Sequence, residues 1–288
     1  MTSYTRAVLM VLFAGVCLST AGIGIRSLDA ATGTQIVFYR SIGLSAMIFF
    51  VLLVQSRGRP WQSFAEVGGV GLLAGLFFAI CSYAIVHAFI YTTVANTMFI
   101  VSLAPFFTAI FAWLWLKEPV PKATWLAIGI AVAGVLTMIQ GALSGNGLKG
   151  IAFAFAMAVS YGLFMVTVRA GRSQNMLPAL CWSGVLLALV IGFSQTDLNV
   201  SRYDMLVCLG LGVFQTGLGG LLLVYGAQRL PAAQVTVLAM LEIVLSPLWV
   251  WLWVNEQPGA ATLVGGSIIV IAIAVQAVSE TRQTAEEA

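Results

Sequence analysis

Ten long apolar runs leave this chain few ways to fold. They fall at 7–25, 34–54, 67–86, 93–115, 122–140, 149–168, 176–194, 204–226, 232–253 and 259–278. Each is about twenty residues, enough to cross a bilayer core about 30 Å thick at about 1.5 Å per helical residue. Backbone in hydrocarbon must satisfy its own hydrogen bonds, which leaves helices or closed barrels. Barrel strands would read as short alternating segments, and these runs are continuous. The composition agrees, with 60% hydrophobic and 8% charged residues against roughly 45–50% and 25% in soluble domains. The expectation is an all-α polytopic membrane protein with ten transmembrane helices.

The stretch Trp113-Leu114-Trp115-Leu116-Lys117-Glu118 returns as Trp251-Leu252-Trp253-Val254-Asn255-Glu256, and 251−113, 253−115 and 256−118 all equal 138. The same shift relates Ala95-Asn96 to Ala233-Gln234, Leu103 to Leu241, and Ala123-Thr124 to Ala261-Thr262. A fixed register means a duplicated unit. The glycine-rich stretch from Gln140 to Gly150 divides the runs into five and five, and an odd number makes the second half cross the membrane in the reverse sense. The organisation expected is a first five-helix repeat over 1–143, a second, inverted one over 144–278, and a polar cytoplasmic tail over 279–288.

Orientation follows from the basic residues. Arg6, Arg57, Arg59, Lys117, Lys122, Arg169, Arg172, Arg229 and Arg282 fall on one side, and Arg26, Lys149 and Arg202 on the other, which puts both termini in the cytoplasm. The first copy of the repeated loop carries Lys117 and Lys122 where the second has Asn255 and Ala260, as copies ending on opposite sides would. The first apolar run is too long for a signal-peptide core and ends in Ile25-Arg26 without a small-residue cleavage pattern, so it is expected to remain. The formal charge of +3 reflects this topology and does not point to nucleic acid.

Ten spans in two halves, with the paired endings Leu-Trp-Leu-Lys-Glu-Pro at 114–119 and Leu-Trp-Val-Asn-Glu-Gln-Pro at 252–258, resemble the drug/metabolite transporter superfamily in its ten-helix, EamA-like branch. Within it the chain is similar to the bacterial aromatic amino acid exporters, which implies a multi-pass protein of the bacterial inner membrane. The resemblance implies eight helices around a central cavity, with the fifth and tenth outside it. Glu118 and Glu256 would then mark helix ends and not the substrate site. The chain departs from the family pattern in its ninth span, where Leu241-Glu242-Ile243 stands in place of Leu-Glu-Pro and the proline comes later, at Pro247.

An ionisable group inside a span is a functional candidate, because at the bilayer centre it costs on the order of 3 kcal/mol. Glu242 lies about ten residues into the ninth span, roughly 15 Å deep, and Arg40 about six residues into the second, roughly 9 Å from its end. Together they would suit an amino acid, Arg40 holding the carboxylate and Glu242 the ammonium. Each has an alternative: Arg40 could snorkel outward, and Glu242 could be a structural or neutral acid or a proton-coupling site.

His87, beside Tyr83 and Tyr91, is a candidate at a cavity mouth or a boundary anchor, and being the sole histidine it cannot belong to a multi-histidine metal site. Ser19, Asn96, Ser160, Tyr161 and Gln215 supply neutral polar groups at expected mid-depth from four different spans. Phe78, Tyr83, Tyr161 and Trp182 could stack on a substrate ring or simply pack. Trp61, Trp113, Trp115, Trp125, Trp251 and Trp253 read as membrane-boundary belts. Pro105 and Pro247 are candidate gating bends, although a membrane helix can absorb a proline through its neighbours.

No catalytic constellation, nucleophile elbow or GxxxxGK[ST] loop occurs, so neither an enzyme nor an ATP-driven pump is expected. Phosphate-bearing solutes would require several intramembrane basic groups, and only Arg40 qualifies. Cationic drugs would favour an acid facing the cavity, as in the small four-helix relatives with a glutamate in the first span; the first span here has none, and Glu242 alone keeps that option. The expected function is export of neutral and aromatic amino acids by alternating access, by a monomer without cofactors. Proton-coupled export of other small metabolites or drugs, and a lipid flippase, are the alternatives.

Overall fold

The computed structural model describes residues 3–117, 125–126, 129–134, 136–137, 147–239, 241–260, 262–268 and 270–271. The expected fifth and tenth spans fall partly outside these residues. Glu118, Lys122 and the tail over 279–288 fall wholly outside them.

The chain is an all-α membrane protein with no strand among the described residues. Its helices are α1 (Ser3–Ser19), α2 (Ala21–Arg26), α3 (Gly33–Gln55), α4 (Pro60–Tyr91), α5 (Val94–Val101), α6 (Ala104–Phe111), α7 (Leu148–Ala170), α8 (Leu177–Ser194), α9 (Arg202–Gly210), α10 (Gly219–Ala227), α11 (Ala232–Ala239) and α12 (Leu241–Val254). A π-helical turn, Ala112–Leu116, prolongs α6, and a π-helical segment, Leu211–Leu218, joins α9 to α10. Among the described residues, seven helical stretches are long and apolar enough to cross a membrane, and Leu241–Val254 is a shorter eighth. Residues 129–134 and 262–268 are also helical.

Local chemistry sets the helix ends. Thr32 and Gln35 form a reciprocal capping box at the start of α3, Thr93 caps α5 through Asn96 N, and Ser201 caps α9 through Asp204 N. Pro60, Pro105 and Pro178 stand in the first turns of α4, α6 and α8, where a missing N–H leaves no bond unmade. The fourth span breaks at Ser102-Leu103, and Pro105 restarts it. Pro247 instead lies inside α12. The two prolines therefore do different things to their spans.

The repeat is visible in the backbone. Lys117 and Asn255, 138 residues apart, both take left-handed φ values, 59° and 56°, and end the fourth and ninth spans. These two spans run antiparallel, since α5 packs on α12 while α6 packs on α11. Copies related by one register but packed head to tail are inverted.

In the membrane, packing and not burial from water holds helices together, and small residues let them approach. Gly212 of the π segment abuts Arg40 O of α3, and Gly43 of α3 abuts Leu209 O. Gly75 of α4 seats Trp182 of α8, and Gly162 of α7 meets Phe107 and Thr108 after the break. The outward surface is apolar, with Phe50, Phe193 and Phe214 exposed. Ser19, Arg40, Ser82, Thr108, Gln215 and Glu242 are buried inside.

Candidate functional site

Arg40 is the eighth residue of α3 and only 4% exposed. Its guanidinium turns into the bundle, which excludes the snorkelling alternative. Nε and Nη2 both donate to Gln215 Oε1, at 3.2 and 3.0 Å. Nη1 donates to Ser82 Oγ at 3.2 Å and Ser82 O at 3.4 Å. Gln215 is fixed in turn: Thr216 Oγ1 donates to its Oε1 at 2.8 Å, and its Nε2 donates to Leu18 O at 3.3 Å. Every acceptor around the guanidinium is neutral. Among the described residues the one ion pair is Arg26 with Glu256, so Arg40 holds a buried charge without a counterion.

Glu242, in the first turn of α12, is 9% exposed. It lies within electrostatic reach of Tyr161 of α7 and Cys81 of α4. The Tyr161 hydroxyl is buried and makes no hydrogen bond, although such a group ordinarily finds a partner. Cys81 is also within reach of Arg40, and Ser82, its neighbour, binds the guanidinium. Glu242 and Arg40 thus both act electrostatically on Cys81 without pairing to each other.

The remaining candidates separate into groups. Ser19, at the break between α1 and α2, accepts from Trp249 Nε1 at 3.0 Å, and its carbonyl accepts from Ser246 Oγ at 2.9 Å. Ser160 bonds back to Ala156 O at 2.6 Å on its own helix. Phe78 packs at a tilt against Phe164, ring centroids 4.7 Å apart, beside Gly220, and Trp182 packs on Gly75. Tyr83 stacks on His87 at 4.0 Å, and Phe153 covers both. His87 is itself buried, with Nδ1 2.9 Å from Tyr83 O and Nε2 facing Gly33. Asn96 differs from the mid-depth expectation. It sits in the first turn of α5, donating to Thr92 Oγ1 at 3.2 Å and accepting from Thr262 Oγ1 at 2.5 Å.

Asn96 borders a closure at the Arg26 end of the bundle. Arg26 Nε meets Glu256 Oε2 at 2.8 Å and Arg26 Nη2 donates to Thr92 O at 3.0 Å, while Val94 N donates to Glu256 Oε1 at 2.7 Å. Gly22 packs on Val94 and Val250 just below. The first, third, fourth and ninth spans meet there. Glu256 is thus a helix-end anchor, as the family resemblance implied.

Ser82, Ser246 and Trp249 are not singled out in the sequence, and Arg26 enters there only as a marker of topology. One signal was available: Glu242, Ser246 and Trp249 fall at i, i+4 and i+7, a single helix face. Ser82 carried none, since one serine among many in apolar runs has no pattern.

Residues 5–140 and 148–277 each match the EamA-like transporter family. The pseudopaline exporter CntI of Pseudomonas aeruginosa strain UCBPP-PA14 is 25% identical over 243 residues, 83% of this chain and 84% of its own length. The uncharacterized transporter YdfC of Bacillus subtilis strain 168 is 27% identical over 256 residues, 86% of this chain and 83% of its own. A solved crystal structure superposes with a TM-score of 0.71 at 19% identity, covering 98% of this chain and 99% of its own, a likeness of fold.

Proposed function

This chain belongs to the EamA-like transporter family, a family of multi-pass membrane transporters, and we propose that the solutes it moves are neutral and aromatic amino acids, exported by alternating access. The observation that carries this reading is the buried Arg40 guanidinium, ringed by neutral acceptors and with no counterion among the described residues. A buried charge is ordinarily paired, and a substrate carboxylate would supply the missing partner through a charge-assisted hydrogen bond to the guanidinium. Glu242, within electrostatic reach of the unpartnered Tyr161 hydroxyl, would provide for the ammonium group. Phe78, Phe164 and Trp182 supply the apolar and aromatic surface that an uncharged side chain needs. Alternating access would bring one repeat to rock against the other, parting Arg26 from Glu256 when that end opens.

Uptake of radiolabelled phenylalanine, leucine and threonine into proteoliposomes of the purified chain tests the reading. Saturable flux is expected, reduced at least tenfold by Arg40→Ala and by Glu242→Gln, since each removes a charge-assisted contact of about 1.5–3 kcal/mol. A second reading, export of pseudopaline, rests on the relatives of that name. Pseudopaline flux without saturable flux of any amino acid would establish it over the first.

A further inference from the structure

We infer that Gln215 is the specificity-determining residue of this site: by clamping Arg40 with a neutral amide it leaves the guanidinium charge free for a carboxylate-bearing solute. The inference rests on the amino acid reading above and assigns the cause of that selectivity to a residue that need not touch the substrate.

The geometry carries it. Two guanidinium N–H groups converge on the one oxygen, Gln215 Oε1, at 3.2 and 3.0 Å. Glutamate has the same shape and would place a carboxylate on the same fork, the strongest partner arginine has. It would also relieve an unpaired charge inside the bundle. An amide there fixes the orientation of Arg40 and leaves its charge uncompensated. Nothing else described compensates it, because Ser82 offers only a hydroxyl and a carbonyl. The second N–H of Nη2 makes no hydrogen bond among the described residues, so part of the fork stays open to an incoming oxygen.

The clamp is built into the backbone. Gln215 lies in the π-helical segment Leu211–Leu218, and such segments recur at functional sites because the extra residue re-aims a side chain. Gly212 in the same segment lets α3 come close enough for its backbone to touch Arg40 O. The amide nitrogen of Gln215 holds Leu18 O at 3.3 Å. The next residue, Ser19, is tied to Ser246 and Trp249 on the helix that carries Glu242. Gln215 therefore orients one charged group and is connected through α1 to the other.

Gln215→Glu tests this, with phenylalanine and phenethylamine, which differ only by the carboxylate, as probes in proteoliposomes. The wild-type chain is expected to favour phenylalanine. Gln215→Glu is expected to lower the phenylalanine-to-phenethylamine flux ratio at least tenfold. Gln215→Leu, which removes the clamp without adding charge, is expected to raise KM for phenylalanine while keeping the preference. If Gln215→Glu does not fold, Ser82→Asp brings a carboxylate to the other edge of the guanidinium and must shift the ratio in the same direction. An unchanged ratio in the folded variants overturns the inference and leaves the amino acid reading standing. A wild-type chain that moves no amino acid overturns the reading itself.

Discussion

Replacing Glu256 by Gln isolates the contact that closes the Arg26 end. Glu256 accepts from Arg26 Nε at 2.8 Å and from Val94 N at 2.7 Å. The ion-paired side chains are 26% and 19% exposed. Exposed pairs contribute about 0.2–1 kcal/mol, and breaking a buried pair costs about 3–5 kcal/mol, so a half-buried pair with a backbone donor on its second oxygen falls near 2 kcal/mol. Glutamine keeps one acceptor and turns an NH₂ toward one of the two donors, so most of that stabilisation is lost. Because about 1.4 kcal/mol is tenfold in an equilibrium, the population open at this end is expected to rise about 30-fold. Val250, fully buried and packed on Gly22, reports it. With Cys17, Cys81, Cys181 and Cys208 replaced by alanine and Val250→Cys introduced, alkylation by a membrane-impermeant maleimide should accelerate by up to that factor in Glu256→Gln. Adding Arg26→Gln should change little more, since the pair is already broken. An unchanged rate in Glu256→Gln, or fully additive effects of the two substitutions, would refute the reasoning.

Gly212→Ala is expected to destabilise the chain by about 1–3 kcal/mol, because its Cβ would collide with backbone, Arg40 O among it and Leu44 N at 2.8 Å. Gly210→Ala, with nothing within 4 Å, should be neutral or slightly stabilising through helix propensity; thermal unfolding in detergent compares the two. Trp249→Phe removes the Nε1 bond to Ser19 Oγ and should cost about 1 kcal/mol in the same assay.

The architecture was legible because it depends on long-range arithmetic. The run lengths specify membrane helices, and the 138-residue shift that joins Lys117 to Asn255 reappears as a matched pair of left-handed caps. The ionisable members of the candidate site, Arg40 and Glu242, stand out without a structure because they are rare residue types in apolar surroundings, and the structure buries both. What could not be read was which neutral groups face them. Asn96 and Gln215 look alike in sequence, yet one ends in a capping network at a bundle end and the other clamps Arg40. The difference arises from the first turn of α5 in one case and a π-helical segment in the other, and neither has a one-dimensional signature. Pro105 and Pro247 also look alike, but one restarts a broken helix and the other lies within a continuous one.

The most direct test of the central claim, that the buried guanidinium is a carboxylate receptor in an amino acid site, is equilibrium competition against radiolabelled L-phenylalanine on the purified wild-type chain. Unlabelled phenylalanine should displace the label, while phenethylamine and 3-phenylpropionate, each lacking one of the two charged groups, should do so at least tenfold more weakly, as the loss of one charge-assisted contact requires. Displacement by phenethylamine as effective as by phenylalanine would contradict the claim.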